Sequence, residues 1–221
     1  MGTPAEGRLI QTVASLLHDG KRGRLLNLGA GKSVGPENAL AHLGCSFKCD
    51  RVDVENCTVE HPNVSACITC SAEDMSPVES ESYDVVFSNY VLEHIVDIDA
   101  AIREIARVLK PQGAFVAAVP NPAAPEFVLA KHTPLWLRRW AKKAPLFETH
   151  YSYKNLGELT AHLRAAGFDI AEIFQSSCVE AFAYRRPFLR RLLSLYDKCV
   201  MASGWNRIMG DVCISAHKVR G

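Results

Sequence analysis

Glycines at the end of a short apolar run are the first residues that suggest chemistry. The segment RLLNL at 24–28 leads into Gly29, Ala30 and Gly31, after which the chain is typical of a helix. Glycines let the backbone approach a ligand closely, and the N-terminus of the next helix attracts anions. The pattern predicts a nucleotide-type site at the carboxyl end of a first strand. The simpler interpretation is a tight strand-to-helix turn.

Two well-known phosphate motifs do not fit this loop. A P-loop needs a glycine five residues before Gly31, and Leu26 occupies that position. A dinucleotide fingerprint needs its third glycine at position 34, which is Val34. Both patterns therefore fail, although Gly35 lies close to the third glycine position.

Acidic residues follow the next two predicted strands. Asp53 ends the second strand, 22 residues after Gly31, where a carboxylate can accept hydrogen bonds from both ribose hydroxyls of an adenosine. Asp50 is the second choice, and either residue could instead be an ordinary turn carboxylate. Residues 71–75 follow the third strand and are placed to meet an adenine edge.

The elements that must position these residues alternate along the chain. Strands followed by helices imply a doubly wound, mainly parallel α/β sheet covered on both faces. We expect one domain over 1–221, with an N-terminal helix at 4–19 and an insertion at about 121–150. Strands are predicted at 24–28, 45–54, 64–70, 83–88, 114–119, 168–174 and 211–218, and further helices at 36–43, 99–109, 154–166 and 187–203.

Composition limits the class of protein. The chain has 221 residues, of which 48% are hydrophobic and 22% charged, which excludes disorder and fibrous architectures. The sequence shows no transmembrane run and no secretory signal, so we expect a cytoplasmic location. Eight cysteines include the Cys67–Cys70 pair with metal-ligand spacing, but no second pair or histidine motif accompanies it, and we predict no metal site.

Charge is distributed unevenly between the two halves. The net charge of +1 combines an acidic segment 1–120 with a basic segment 121–221. Segment 126–143 joins tryptophans with lysines and arginines, which is typical either of a lid over a substrate or of a helix in peripheral contact with a membrane. We favour the lid, because a lid also excludes water.

Four motifs in order carry a resemblance to a known family. The segments LLNLGAGKS, VDVEN, SAEDMSPVESESYDVVFSNYVLEHIVD and REIARVLKPQGAFVAAVPN are similar to those of class I S-adenosylmethionine-dependent methyltransferases, in the small-molecule branch that includes quinone-biosynthesis enzymes. The resemblance is strong over residues 24–121 and continues more weakly through 151–170 to the last strand. It implies a Rossmann-like seven-stranded sheet with an antiparallel last strand.

The resemblance also implies the cofactor, S-adenosylmethionine, bound over the ends of the first three strands. By position, Gly29, Ala30 and Gly31 would approach its methionine moiety, and Asp53 would hold its ribose.

Further positions follow from the same resemblance. Ser71, Ala72 and Glu73 would meet the adenine, and Asn89 and Tyr90 would lie near the sulfonium and the incoming nucleophile.

The sequence departs from the family pattern at two places. The family usually has an acid at the position of Asn27. The amide of Asn27 could still hydrogen-bond the ammonium group of the cofactor, but without charge attraction. An acid also commonly stands at the position of Ser71, and here Glu73 or Asp74 would take over its role.

Candidate catalytic groups lie beyond the fourth strand. A hydroxyl nucleophile benefits from a nearby base, for which His94 and His150 are candidates and Glu93 is a third option. Tyr90 completes the candidate catalytic set. For each of these residues a purely structural role is the alternative.

Three functions stay open from the sequence. The first is methyl transfer to a small-molecule acceptor such as a saccharide, a lipid-linked compound or a secondary metabolite. The second is methylation of RNA or protein, which the basic half motivates, although the aromatic and basic residues that single strands need occur together only at 136–143, so nucleic acid is not our expected partner. The third is a cofactor-binding module without turnover, which the departures at Asn27 and Ser71 motivate.

Overall fold

A computed structural model describes residues 2–17, 23–57, 60–132, 150, 152–180 and 187–219. Within these ranges the elements are α1 (Pro4–Leu16), β1 (Gly23–Leu28), α2 (Gly35–His42), β2 (Phe47–Asp53), β3 (Val64–Thr69), β4 (Tyr83–Asn89), a 3₁₀ turn (Leu92–His94), α3 (Ile98–Val108), β5 (Leu109–Pro120), α4 (Pro125–His132), α5 (Leu156–Ala165), β6 (Phe168–Ser176), α6 (Pro187–Ser203), a second 3₁₀ turn (Asn206–Ile208) and β7 (Asp211–Lys218).

The described strands form one seven-stranded sheet in the order β3-β2-β1-β4-β5-β7-β6. Strands β1 to β5 pair in parallel, whereas β7 runs antiparallel to both β5 and β6. The predicted fold, a doubly wound Rossmann-like sheet with an antiparallel last strand, is confirmed. The strand order reverses between β1 and β4, which is where open α/β sheets bind ligands.

Both faces of the sheet are buried, which explains the nearly continuous apolar runs of the central strands. Alternate residues of β1 enter different cores: Leu25 packs in the cluster that includes α1 and α2, and Leu26 and Leu28 pack in the cluster that includes α3 and α5. The two helical layers therefore hold β1 rigidly up to the glycines.

Helix α1 begins with a capping box. The Thr3 hydroxyl accepts from the backbone N–H of Glu6, whose carboxylate accepts in return from the backbone N–H of Thr3. Such a box satisfies backbone donors that the first turn of a helix leaves free. The helix ends at Leu16, and the predicted extension to residue 19 reaches residues outside the described ranges.

Strand β5 begins earlier than the sequence predicted. The segment after α3 reads as a helix stop followed by a strand from residue 114, whereas the observed strand starts at Leu109. Leu109 pairs with Tyr83 before the register shifts, and Gln112 adopts a left-handed φ of 64° in the irregular stretch. The residues that predict a helix end do end α3, but they form an irregular stretch within β5 and not a separate turn before it.

Strand register aligns the residues of the predicted site. Leu28 stands opposite both Val52 and Ser88. The next residue of each strand, namely Gly29, Asp53 and Asn89, therefore reaches the same edge of the sheet.

Only part of the predicted insertion is described. Helix α4 covers Pro125–His132, and residues 133–149 lie outside the described ranges, as does most of the segment for which we predicted a lid or a membrane contact. Both interpretations stay predictions. None of the helices in the described part has the length and apolar character needed to span a bilayer.

The packing of α3 yields a stability test. Ile102 is fully buried in the core cluster, whereas its neighbour Arg103 is exposed. We expect Ile102→Ala to lower the free energy of unfolding by about 2–5 kcal/mol, because it removes buried methylenes and leaves a cavity. Arg103→Ala is the matched control, expected to stay within about 0.5 kcal/mol. Chemical denaturation measures both, and equal losses would contradict the assigned face of α3.

Candidate active site

The loop after β1 turns sharply and is anchored to β2. Gly29 and Gly31 adopt left-handed φ angles of 66° and 56°, which favour glycine. The N–H groups of Gly29 and Ala30 both donate to the Val52 carbonyl, at 2.8 and 3.2 Å. A Cβ on Gly29 would lie 2.3 Å from Val91 Cγ2, whereas one on Gly31 would meet no atom within 4 Å. Gly29 thus packs against the turn after β4, while Gly31 leaves open space.

Asp53 lies beside this loop. Its Oδ2 accepts a hydrogen bond from the N–H of Gly31 at 2.8 Å, and its Oδ1 accepts one from the N–H of Glu55 at 3.0 Å. The structure therefore brings together the glycine loop and the acid that the sequence pairs with it. The second choice, Asp50, is buried and accepts from the Tyr83 hydroxyl at 2.8 Å, away from the loop.

Asn27 faces the interior. Its side-chain amide is buried and donates to Glu37 Oε1 at 2.8 Å. Glu37 Oε1 also lies 3.3 Å from Nε of Arg51, and the side chains of both charged residues are fully buried. This buried cluster lies directly beneath the glycine loop, and its charged members were missed by the sequence analysis. One signal was available, because Glu37 precedes the buried Leu40 by three residues and so shares its helix face.

The segment after β3 forms a tight turn that its own polar groups stabilise. Ser71 Oγ accepts from the N–H of Glu73 at 3.1 Å, and Asp74 Oδ1 accepts from the N–H of Ser76 at 3.1 Å. Glu73 Oε1 accepts from the N–H groups of Val96 and Asp97, at 2.8 and 3.0 Å.

The carboxylates of Glu73 and Asp74 therefore accept from backbone N–H groups, and Ala72, between Ser71 and Glu73, is partly exposed.

Helix α1 is joined to the end of β4. Asn89 Nδ2 donates to Glu6 Oε1 at 2.8 Å, while the buried Asn89 Oδ1 has no hydrogen-bond partner among the described residues. The Tyr90 hydroxyl lies 2.6 Å from Thr3 Oγ1 and donates to the buried carboxylate of Asp211. No sequence pattern indicates this contact, because Asp211 begins β7, far along the chain.

Burial and the Asp211 carboxylate both raise the pKa of Tyr90 above its ordinary value. The contacts with Thr3 and Asp211 hold the phenol in place, and the raised pKa keeps it protonated at neutral pH. The backbone of Tyr90 has a left-handed φ of 54°. The single proton of the Tyr90 hydroxyl is donated to Asp211, so Tyr90 is suited to holding these elements in position and not to removing a proton.

Glu93, His94 and His150 meet at the 3₁₀ turn after β4. Glu93 is buried, its Oε2 has no hydrogen-bond partner among the described residues, and burial raises its pKa to about 7. His94 Nε2 lies 4.0 Å from Glu93 Oε1, with about a third of the His94 side chain exposed. The N–H of His150 donates to the Glu93 carbonyl at 2.9 Å. The structure thus places Glu93 and His94 on one turn, directly after the Val91 region that packs on Gly29. The backbone of His150 is hydrogen-bonded to the same turn.

The cysteines form no cluster suited to a metal. In the part of the chain that the structure describes, no three histidine, cysteine or acidic side chains are grouped to bind an ion. Cys67, the first member of the CxxC pair, is hydrogen-bonded to Cys57 instead, and burial together with this contact raises its pKa to about 12.

Comparisons with known proteins identify the family and the fold. Residues 3–173 match the sequence profile of a family described as a methyltransferase domain. A ubiquinone biosynthesis O-methyltransferase of Xanthomonas axonopodis pv. citri is 33% identical over 106 residues, which are 47% of this chain and 42% of that relative. The chain therefore matches less than half the length of that protein.

Solved structures share the fold. The [4+2]-cyclase SpnF has a TM-score of 0.64 at 22% identity, covering 97% of this chain and 82% of its own. Phosphoethanolamine N-methyltransferase 2 of Haemonchus contortus, solved with S-adenosyl-L-methionine, has a TM-score of 0.57 at 18% identity, covering 96% of this chain and 53% of its own. Identities this low establish the fold alone.

Gly29 provides a test of the loop geometry. We expect Gly29→Ala to destabilise the protein by about 2–4 kcal/mol, because a left-handed φ and an overlap with Val91 add together. Gly44→Ala is the matched control, since Gly44 has a φ of 77° but open space around its Cβ position. It should cost about 1–2 kcal/mol for the backbone alone. Thermal and chemical unfolding compare the two, and equal losses would refute the close contact.

The raised pKa of Glu93 predicts a pH-dependent stability. Between its ordinary pKa of 4.5 and its folded pKa of about 7, the folded protein keeps a proton that the unfolded chain has lost. The stability of the wild type relative to Glu93→Gln should therefore fall as the pH rises from about 4.5 to about 7 and level off above that, with a total loss on the order of 3 kcal/mol. Denaturation of both proteins from pH 4.5 to 8.5 measures this, and parallel curves would show that Glu93 is not desolvated.

Proposed function

The chain belongs to the methyltransferase domain family, whose profile spans residues 3–173, and we propose that it transfers a methyl group from S-adenosylmethionine to a small-molecule acceptor. The observation that carries this proposal is the contact between Asp53 and the N–H of Gly31 at the edge where β1 and β2 end. This contact sets a carboxylate beside an open glycine surface, as a bound nucleoside requires.

The residues at this edge fit an adenosine. A carboxylate offers about four acceptor positions, so Asp53 can bind two vicinal hydroxyls while it keeps its two backbone contacts. The open space at Gly31 leaves room for the ligand, and the half-buried Ser71 and Ala72 offer a surface for the base.

The same edge fits the cationic end of the donor. Asn89 Oδ1 is a buried acceptor with no hydrogen-bond partner among the described residues, and Glu6 Oε1 contacts the same side chain. A positively charged ligand gains both from a free acceptor and from a nearby carboxylate. We assign this role to the pair in place of Asn27, whose amide is directed to Glu37.

The cofactor supplies an activated methyl group on a sulfonium, which a nucleophile displaces in line. The protein's share is to align the acceptor and exclude water. We assign Tyr90, whose phenol is held between Thr3 and Asp211, to shaping the acceptor site beside Asn89.

An acceptor hydroxyl also needs a base. We assign proton removal to the turn that carries Glu93 and His94, with His94 as the first candidate because its ring reaches solvent. Glu93 is the alternative, since a carboxyl group with a pKa of about 7 exchanges protons at neutral pH. His150 is the third candidate at the same turn. Replacing each of these residues by Gln in a single-turnover assay tests the assignment.

The relatives support a hydroxyl acceptor. The Xanthomonas relative is named an O-methyltransferase of ubiquinone biosynthesis, so oxygen is the acceptor atom we propose first. SpnF is named a [4+2]-cyclase, so a protein of this fold can catalyse a different reaction. A cofactor-binding module without turnover is the contrasting hypothesis for this chain. Contact of segment 126–143 with a membrane and a cytoplasmic location stay predictions from the sequence.

Donor binding provides the first test. We expect S-adenosylmethionine or its demethylated product to raise the melting temperature, because a ligand at 100 times its Kd adds about 2.7 kcal/mol of stability. Asp53→Asn should weaken binding about tenfold, since it removes a charged acceptor. Asp169→Asn, at an exposed position of β6, is the control and should bind normally.

Transfer itself is measured in a single turnover with labelled donor and a panel of phenols, amines, saccharides and RNA. Label in a hydroxyl compound supports the proposal, and label in RNA favours the second function. Donor binding without transfer to any acceptor favours the binding module. A wild type that is not stabilised by millimolar donor would count against the whole assignment.

A further inference from the structure

We propose that Arg51 is a positioning residue for the cofactor site, because its buried guanidinium fixes the peptide whose N–H binds Asp53. The inference rests on the proposed function, since it concerns the same loop. Arg51 lies on β2 two residues before Asp53, so both side chains leave the same face of the strand.

The Arg51 guanidinium donates hydrogen bonds to backbone carbonyl groups of the glycine loop. Arg51 donates to the carbonyl oxygens of Ala30 at 2.7 Å and Ser33 at 2.6 Å, and the Gly31 carbonyl lies 3.4 Å away. All three carbonyls belong to the short connection between β1 and α2. All three contacts come from Nη2, whose N–H groups are fixed in the guanidinium plane, whereas the donors of a lysine ammonium rotate about a flexible stem.

One peptide unit connects Arg51 to the ligand edge. The carbonyl of Ala30 and the N–H of Gly31 belong to the same peptide, which is trans and planar. Because these two groups point in opposite directions, the bond from Arg51 to the carbonyl turns the N–H towards Asp53 Oδ2 at 2.8 Å. Arg51 thus sets the position of the carboxylate through a rigid intermediate.

Glu37 offsets the cost of burying the Arg51 guanidinium. An isolated buried guanidinium is costly, and Glu37 supplies the opposite charge 3.3 Å from Nε. The same Oε1 atom accepts from Asn27 Nδ2 at 2.8 Å. An acid at position 27 would put a second carboxylate beside Glu37, which explains physically why an amide stands here. The departure from the family pattern noted in the sequence thus belongs to the Arg51 arrangement.

The test compares binding with stability. We expect Arg51→Lys to raise the Kd for S-adenosylhomocysteine about tenfold and the KM for the donor similarly, with kcat changed less than twofold. Arg24→Lys is the matched control, because Arg24 also pairs with a β2 carboxylate, Asp50, but from the opposite end of β1. It should leave the Kd within twofold. Melting temperatures of the ligand-free proteins identify any general loss of folding.

A double-mutant cycle separates positioning from a merely structural role. If Arg51 acts through the Gly31–Asp53 contact, then Arg51→Lys combined with Asp53→Asn should bind no more weakly than Asp53→Asn alone. Fully additive losses, or an unchanged Kd in Arg51→Lys, would overturn the inference. A wild type that does not bind S-adenosylhomocysteine would instead overturn the proposed function.

Discussion

The site depends on one peptide unit, between Ala30 and Gly31, that is held from both sides by charged side chains of β2. Arg51 binds its carbonyl and Asp53 binds its N–H. A glycine-rich loop has many accessible conformations, and fixing each residue costs about 1–2 kcal/mol of conformational entropy. The two contacts on β2, whose own position is set by its pairing with β1 and β3, select one of these conformations before any ligand arrives.

The second constraint is the junction between α1 and the sheet. The phenol of Tyr90 joins Thr3, at the start of α1, to Asp211, at the start of β7. Asp211 also accepts hydrogen bonds from the N–H of Ala5 and from Ser176, at 2.8 and 3.0 Å. A single buried carboxylate therefore connects four separate parts of the chain, so the geometry at Asn89 and Tyr90 depends on segments that lie far apart in sequence.

Much of the fold could be predicted because its signals are local. Apolar runs, glycine stops and amphipathic spacing fix the order of elements, and the edge position of Gly29 and Asp53 follows from strand ends in a parallel sheet. The role of Arg51 could not be predicted in this way, because an arginine in a strand is normally exposed, and its counter-charge, Glu37, lies on a different element. The start of β5 was also missed, since the sequence cannot distinguish a turn from a bulge that keeps pairing with Tyr83. Hydrogen bonds between polar residues far apart in the chain, such as Tyr90 and Asp211, produce no periodic pattern in the sequence from which they could be predicted.

The position of β7 has a consequence for how the protein assembles during synthesis. Strand β7 is the last in chain order, yet it lies between β5 and β6 in the sheet. Within the described sheet, β6 pairs with β7 and with no other strand, so it has no neighbour while the nascent chain is still being elongated. The first five strands can associate early, but β6 must wait with an unpaired edge until translation has delivered β7. A partly folded chain in which β7 has not yet paired therefore exposes strand edges that the complete sheet covers.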